Sequence, residues 1–290
     1  MIEKYIALQK VVEYKSLAKA ADALGYSQSA MSQIITSLEN ELSIKLVNRL
    51  KSGAVLTVEG AELYPFIEKA IYQYQASLEK AKDIRGLETG TIRMGTLASI
   101  SAHWVPELVR EFEQMYPGVE FVIHQGDYAS IQEWIKIGSI DFGFVTPAAV
   151  SGIQTLVLKD SPMLAVLPEN HPLTDLDKLP IAAIAKEPFI LLEEGNYYEP
   201  IEMFKRYGLK PNIKYTIHDD YAIMTMVEAG LGVSILSELI LLRTNYRIAL
   251  RPLEPPLTRT IAIGYKDKGS LPMASRRFID LIKTRMVQLP

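Results

Sequence analysis

The chain has 290 residues, no cysteine, and a formal net charge of −3. That length allows two or three domains with ample core, and the missing thiols exclude disulfides, iron–sulfur clusters and thiol catalysis while leaving His and carboxylate metal sites open. No run of about 18 apolar residues exists, and the opening MIEKYIALQKVVEYKS lacks the apolar stretch of a signal peptide, so a cytoplasmic protein with no membrane partner is expected.

Residues 17–39 read as two short helices around a glycine turn. Leu17, Ala20, Ala21 and Leu24 recur at i, i+3, i+4 and i+7, an apolar stripe whose alanines allow a close helix crossing. Gly25 is a left-handed stop and Ser27 a good N-cap for the second helix. There Ala30, Met31, Ile34 and Leu38 form the inner face. Ser29, Ser32, Gln33, Thr36, Ser37 and Asn40, with Gln28 at the leading end, form an outer face that is short, polar and nearly uncharged. Such side chains donate to and accept from base edges in the major groove. A helical hairpin with a solvated face is the plainer alternative, but such faces usually carry Lys and Glu, and this one avoids charge for three turns. Leu42, Ile44 and Leu46 continue the core, residues 48–53 make a turn with two cations, and residues 54–57 resume as a short strand. A hairpin after the recognition helix is a wing, with Arg49 and Lys51 at its tip suited to phosphate contact. Seven Lys or Arg against six Asp or Glu in the first 60 residues leave this module nearly neutral. Specificity should therefore rest on base contacts and on paired modules rather than on bulk field.

Through SLAKAADALGYSQSAMSQIITSLENELSIKLVNR and LTVEG at 56–60, the first 60 residues resemble the winged helix-turn-helix of the LysR-type transcriptional regulators. The length and order of the remainder match that family too, so the resemblance covers essentially the whole chain. Family members often carry arginines on the recognition helix where this chain has Gln33 and Thr36, which shifts phosphate attraction to the wing. The resemblance implies double-stranded operator DNA, a small-molecule effector and the transcription machinery as partners. It also implies self-association as a homodimer or homotetramer.

Residues 57–87 read as one long helix. Ile67, Ile71, Tyr74, Leu78 and Ala81 are spaced 4, 3, 4 and 3, a heptad seam that Tyr64 extends upstream. Pro65 should kink or tighten the first turns. A thin stripe on a long helix suits a second copy of itself, the alternative being a helix packed on its own domain. In the resembled family this helix pairs two protomers. Residues 85–90, with Gly86 and Gly90, supply a hinge.

Beyond it, an α/β pattern occurs twice, offset by roughly 90 to 95 residues. Strand 91–95, a helix through Val105, Leu108, Val109 and Phe112, and strand 119–124 are matched by strand 189–192, a helix through Ile201 and Phe204, and strand 213–218. Each copy continues alike: 134–138 leads to 142–145, and 226–230 leads to 233–236. Alternating strands and helices imply mostly parallel sheets. The apolar runs 163–168 and 260–265 would cross between the two lobes, and a terminal helix with Phe278, Leu281, Ile282 and Met286 would return to lobe one. The resemblance agrees, implying a two-lobed effector domain like periplasmic solute receptors.

In open α/β sheets ligands bind beyond the carboxyl ends of strands. In lobe one those ends carry Thr96, Ser99 and Ser101 at the start of a helix whose free amides favour an anion, then Asp127, then Thr146. In lobe two they carry Asn196, Tyr197 and Tyr198, then His218, Asp219 and Asp220. Ser99, Thr146 and the Asn196 loop match places where members of the resembled family hold effectors. Any one of these is also readable as a cap or turn residue, Ser99 and Ser101 first as N-caps. Because the three aspartates weaken a purely anionic choice, the expected effector is a zwitterion or a hydroxylated, partly cationic compound.

No Gly-x-Ser-x-Gly elbow, Walker loop, GxGxxG after a strand, or histidine pair at ligand spacing is present, and His103, His124, His171 and His218 are scattered. His171, in a loop, is exposed by default. No enzyme activity, metal or cofactor is expected. The reading is a winged helix-turn-helix DNA-binding domain of all-α type (1–58), a linker and dimerisation helix (59–89), and a two-lobed, periplasmic-binding-protein-like α/β effector domain (90–290). Lobe one takes about 90–161 plus 266–290 and lobe two about 162–265. A solute receptor whose N-terminal helices serve a protein partner is the alternative.

Overall fold

The computed structural model describes residues 1–50, 53–84, 89–193 and 195–290, and its contacts divide into two units. The first contains α1 (Ile2–Tyr14), α2 (Leu17–Leu24), α3 (Gln28–Leu42), β1 (Val47–Leu50), β2 (Gly53–Leu56) and α4 (Val58–Ile84). Ser16 caps α2, Gly25 ends it at φ 71°, and Ser27 caps α3 by accepting from the Ala30 amide at 3.1 Å. The buried stripe of α3 is Met31, Ile35 and Leu38, packed with Ala7, Leu8 and Val11 of α1 and Ala20 and Ala21 of α2. This corrects the inner face read from sequence, since Ala30 and Ile34 are only half-buried. Adjacent isoleucines gave the periodicity no means of choosing, and Ile35 is the one that faces the core. β1 and β2 pair antiparallel, Val47 opposite Leu56. Two contacts anchor this hairpin. Glu39 of α3 accepts from the Leu46 and Val47 amides at 2.9 and 3.1 Å. The Ala54 amide donates to the Lys15 carbonyl at 2.9 Å. At Gly53, φ +140°, a Cβ would stand 2.4 Å from that same carbonyl oxygen, so only glycine fits there.

Helix α4 continues through Pro65, and it divides the predicted seam. Ile67 and Ile71, 3% and 1% exposed, pack into the core of their own unit, whereas Tyr74 and Leu78 are 41% and 47% exposed. The first half of the seam is therefore intramolecular, a correction to the reading of a single stripe held for a partner. Of the expected hinge, residues 85–88 lie outside the described residues, and Gly90 is the first residue of a strand.

The second unit contains β3 (Gly90–Thr96), α5 (Ala98–His103), α6 (Val105–Met115), β4 (Val119–Gln125), α7 (Tyr128–Ile137), β5 (Phe142–Val145), β6 (Gln154–Pro168), β7 (Leu179–Pro180) and α8 (Ile181–Ile184). There follow β8 (Pro188–Leu192), α9 (Glu199–Arg206), β9 (Asn212–Ile217), α10 (Asp220–Glu228), β10 (Ser234–Ser237), α11 (Glu238–Leu241), β11 (Ile248–Tyr265) and α12 (Met273–Arg285). The internal repeat is visible in the pairing. β3 pairs parallel with β4 and β5, while β8 pairs parallel with β9 and, through a Phe189–Val233 bridge, with the start of the β10 segment. β6 and β11, which contain the two apolar runs, lie antiparallel to each other along their length. β5 joins β11 antiparallel, and β10 joins β6 antiparallel. The seven-stranded sheet is thus mixed rather than mostly parallel, because the strands that pass between the lobes must run in opposite directions, while the β8–β9 sheet is parallel as expected.

One core, around Trp104, Phe112, Phe142, Phe144 and Phe278, fills lobe one. Two others, around Phe189 and Phe204 and around Ile190, Met224 and Ile240, lie in lobe two. Ile261, Ala262 and Ile263 pack in the first core, inside the boundary drawn from sequence at 265. α12 returns to lobe one, burying Phe278 and Ile282, while Ser275 Oγ donates to Asp141 at 2.7 Å.

Candidate DNA-binding face and effector site

On α3 the residues farthest from the core, Gln28, Ser29, Gln33, Thr36 and Ser37, are exposed, while Ser32 is half-buried. The reason lies in the hairpin. Arg49 sits within β1 and donates to Ser32 Oγ at 2.7 Å and to Thr36 Oγ1 at 3.1 Å. The sequence placed Arg49 at the wing tip, so this is a correction: its guanidinium lies along the recognition helix and supplies the cation that the helix lacks. On the opposite flank Lys4 of α1 donates to Ser37 Oγ and pairs with Glu41, both at 2.9 Å. That pair holds the Glu41 carboxyl below its usual range. An uncharged polar strip is therefore bordered by two cations from neighbouring elements. Lys51 lies outside the described residues.

In the second unit, Thr96 ends β3 and Thr146 directly follows the neighbouring parallel strand β5, and both are buried with Ser99. Ser101 donates to Thr96 Oγ1 at 3.4 Å. Neither serine caps α5. The N-cap is Leu97, and at six residues the helix offers an anion little from its amides. What Ser99 meets instead is Arg259 of β11, whose Nη2 donates to Ser99 Oγ at 2.8 Å and to Ser237 Oγ, at the end of β10, at 3.0 Å. This buried guanidinium joins the first turn of α5 in lobe one to a lobe-two strand.

Two carboxylates stand near it. Glu199, 4% exposed at the start of α9, accepts from Tyr128 of α7 at 2.8 Å. Its carboxyl is held above the usual range chiefly by burial, opposed by hydrogen bonds and by Arg259. Asp220 opens α10 and is pushed up to about 6, again chiefly by burial, with Arg259 opposing and Asp219 adding to the rise. Tyr197 stacks edge-on to Tyr128, with centroids 6.5 Å apart. Gly195, at φ +87°, brings the Asn196 loop so close to α7 that a Cβ would lie 2.9 Å from Ala129.

Other expected site residues also have local partners. Asp127 caps α7 through the Ser130 amide at 2.7 Å. Asn196 is exposed on the loop. His218, just past the end of β9, is exposed and lies 3.2 Å from Glu193. His171 is not a free loop residue. Half-buried, it accepts from the Leu173 amide at 3.2 Å and lies 3.5 Å from Glu187. No motif in the sequence singles out Ser237, Glu199 or Tyr128. For Arg259 a signal existed, since Leu257, Arg259, Ile261 and Ile263 share one strand face, and a cation in an apolar register is a functional flag.

Residues 2–61 match the family model described as bacterial regulatory helix-turn-helix protein, lysR family, and residues 85–287 match the LysR substrate binding domain. The chain is 30% identical over 278 residues to the uncharacterized HTH-type transcriptional regulator YvbU of Bacillus subtilis (strain 168), covering 94% of each. Its fold is that of full-length OxyR from Pseudomonas aeruginosa, with a TM-score of 0.70 at 22% identity over 100% of this chain and 98% of that one. It is likewise that of full-length CbnR in complex with its target DNA, with a TM-score of 0.71 at 19% identity over 98% and 99%. The chain belongs to the LysR family of DNA-binding transcriptional regulators, joining a helix-turn-helix to a small-molecule effector domain.

Proposed function

We propose that this regulator reads operator DNA with Gln28, Ser29, Ser32, Gln33, Thr36 and Ser37 of α3, with Arg49 and Lys51 adding phosphate or base contacts, and that it answers to a metabolite smaller than a dinucleotide held between the lobes. The effector wall comprises Thr96, Ser99 and Thr146 on one side. Tyr197, Glu199, Asp220 and Ser237 form the other, with Arg259 between them. The single observation that carries the reading is the buried Arg259 bridging Ser99 and Ser237. A guanidinium is costly to bury, and in a binding cleft it is the group that orients an incoming ligand.

The assembly is a homodimer or homotetramer paired through the exposed half of α4, acting in the cytoplasm on the transcription machinery rather than as an enzyme. CbnR, which shares the fold, has been seen on its target DNA. The division of labour is 1–58 for DNA, 59–89 for linking and 90–290 for the effector. The test is retention of a defined genomic fragment by the full chain in excess competitor DNA. A regulator retains one set of fragments, and retention proportional only to fragment length would reject the reading in favour of a receptor with a protein partner.

A further inference from the structure

The effector cluster is electrically unbalanced. Glu199 and Asp220 are both buried, and the charge of the Arg259 guanidinium acts on each of them. Glu199 Oε1 is satisfied by Tyr128, but among the described residues its buried Oε2 has no hydrogen-bond partner. A buried carboxylate oxygen without a donor is destabilising, and the counterpart it fits is a protonated nitrogen. Glu199 also lines a cleft of about 180 Å³ with Tyr197, Glu202, Met203, Arg206 and Leu257, room on the order of a ligand the size of benzene or somewhat larger. The Ser99 and Ser237 hydroxyls accept from Arg259, which leaves their own hydrogens free to donate to an oxygen.

We propose that the effector carries a protonated amine, received by Glu199 and Asp220, and an oxygen acceptor placed by Ser99, Ser237 and Arg259. An amino acid or amino alcohol has this shape, whereas a plain carboxylate lacks the group that Glu199 needs. The inference rests on the effector lying between the lobes.

The experiment is calorimetric titration of the full-length protein with matched probes differing only in the amine: γ-aminobutyrate against butyrate, glutamate against glutarate, ethanolamine against ethylene glycol. The expected result is heat of binding only from amine-bearing members. Glu199→Gln and Asp220→Asn, each close in shape and removing a buried charge, should weaken that binding about tenfold or more. A thermal melt of each variant establishes that it is folded. Binding of amine-free probes with equal strength, or amine binding untouched in both folded variants, overturns the proposal, as does silence from every amine in the set. If amine-free probes bind and Ser99→Ala abolishes it, the site between the lobes stands and only the amine falls. Binding indifferent to Ser99, Glu199 and Asp220 together removes both.

Discussion

Arg49 illustrates how a residue's role depends on what it touches. Tied to Ser32 and Thr36, it cannot act as an independent phosphate anchor. Arg49→Ala and Ser32→Ala should therefore be non-additive in operator affinity, with a coupling of about 0.5–3 kcal/mol, as expected of residues in one hydrogen-bonded network. Additive losses in a double-mutant cycle would detach the two. Asp220 makes a second prediction. Its carboxyl titrates near 6 when folded, against 3.8 ordinarily, so between about pH 4 and 6 the folded domain binds more protons than the unfolded chain. Stability from this group falls as pH rises through that window and stays lower above it. Asp220→Asn should raise effector-free stability at pH 7 by on the order of 2–3 kcal/mol, shrinking toward pH 4. A gain that does not depend on pH would place the cause elsewhere. The sequence signalled the cap residues Ser16, Gly25 and Ser27 because capping is local chemistry. Arg259, Glu199 and Tyr128 meet only across the fold, and no short window carries that information.

Helix α4 shows the same limit one level up. The heptad spacing of Ile67, Ile71, Tyr74 and Leu78 is real, but periodicity reports that a face is apolar and not whose surface covers it. Ile71, nearly inaccessible in its own unit, is unsuited to testing dimerisation. Ile71→Glu should unfold the N-terminal core, since burying an unpaired carboxylate reverses the roughly 1.5–3 kcal/mol that an aliphatic side chain contributes. Tyr74→Glu with Leu78→Glu should instead leave that core folded and lower the oligomeric state in sedimentation. Retention of the wild-type oligomer in the second variant would mean that association uses other surfaces. The duplicated β–α order was also legible, because each copy repeats its apolar runs at one offset. The antiparallel course of β6 and β11 was not, since strand direction follows from where the chain has to return.

At the scale of the whole molecule, an effector acts only through its differential affinity for two arrangements of the protein, a coupling typically of about 1–3 kcal/mol. The link from a site built on Ser99, Ser237 and Arg259 to the DNA-binding unit is the central claim. It is tested by footprinting the full-length protein on a fragment that it has itself selected from genomic DNA, while titrating the amine probe that binds best. The protected length should change with a midpoint matching probe binding in the wild type. In Ser99→Ala and Thr146→Ala that midpoint should move to higher concentration, with probe-free protection intact. Identical midpoints in all three proteins would contradict the account and place effector control outside the lobes.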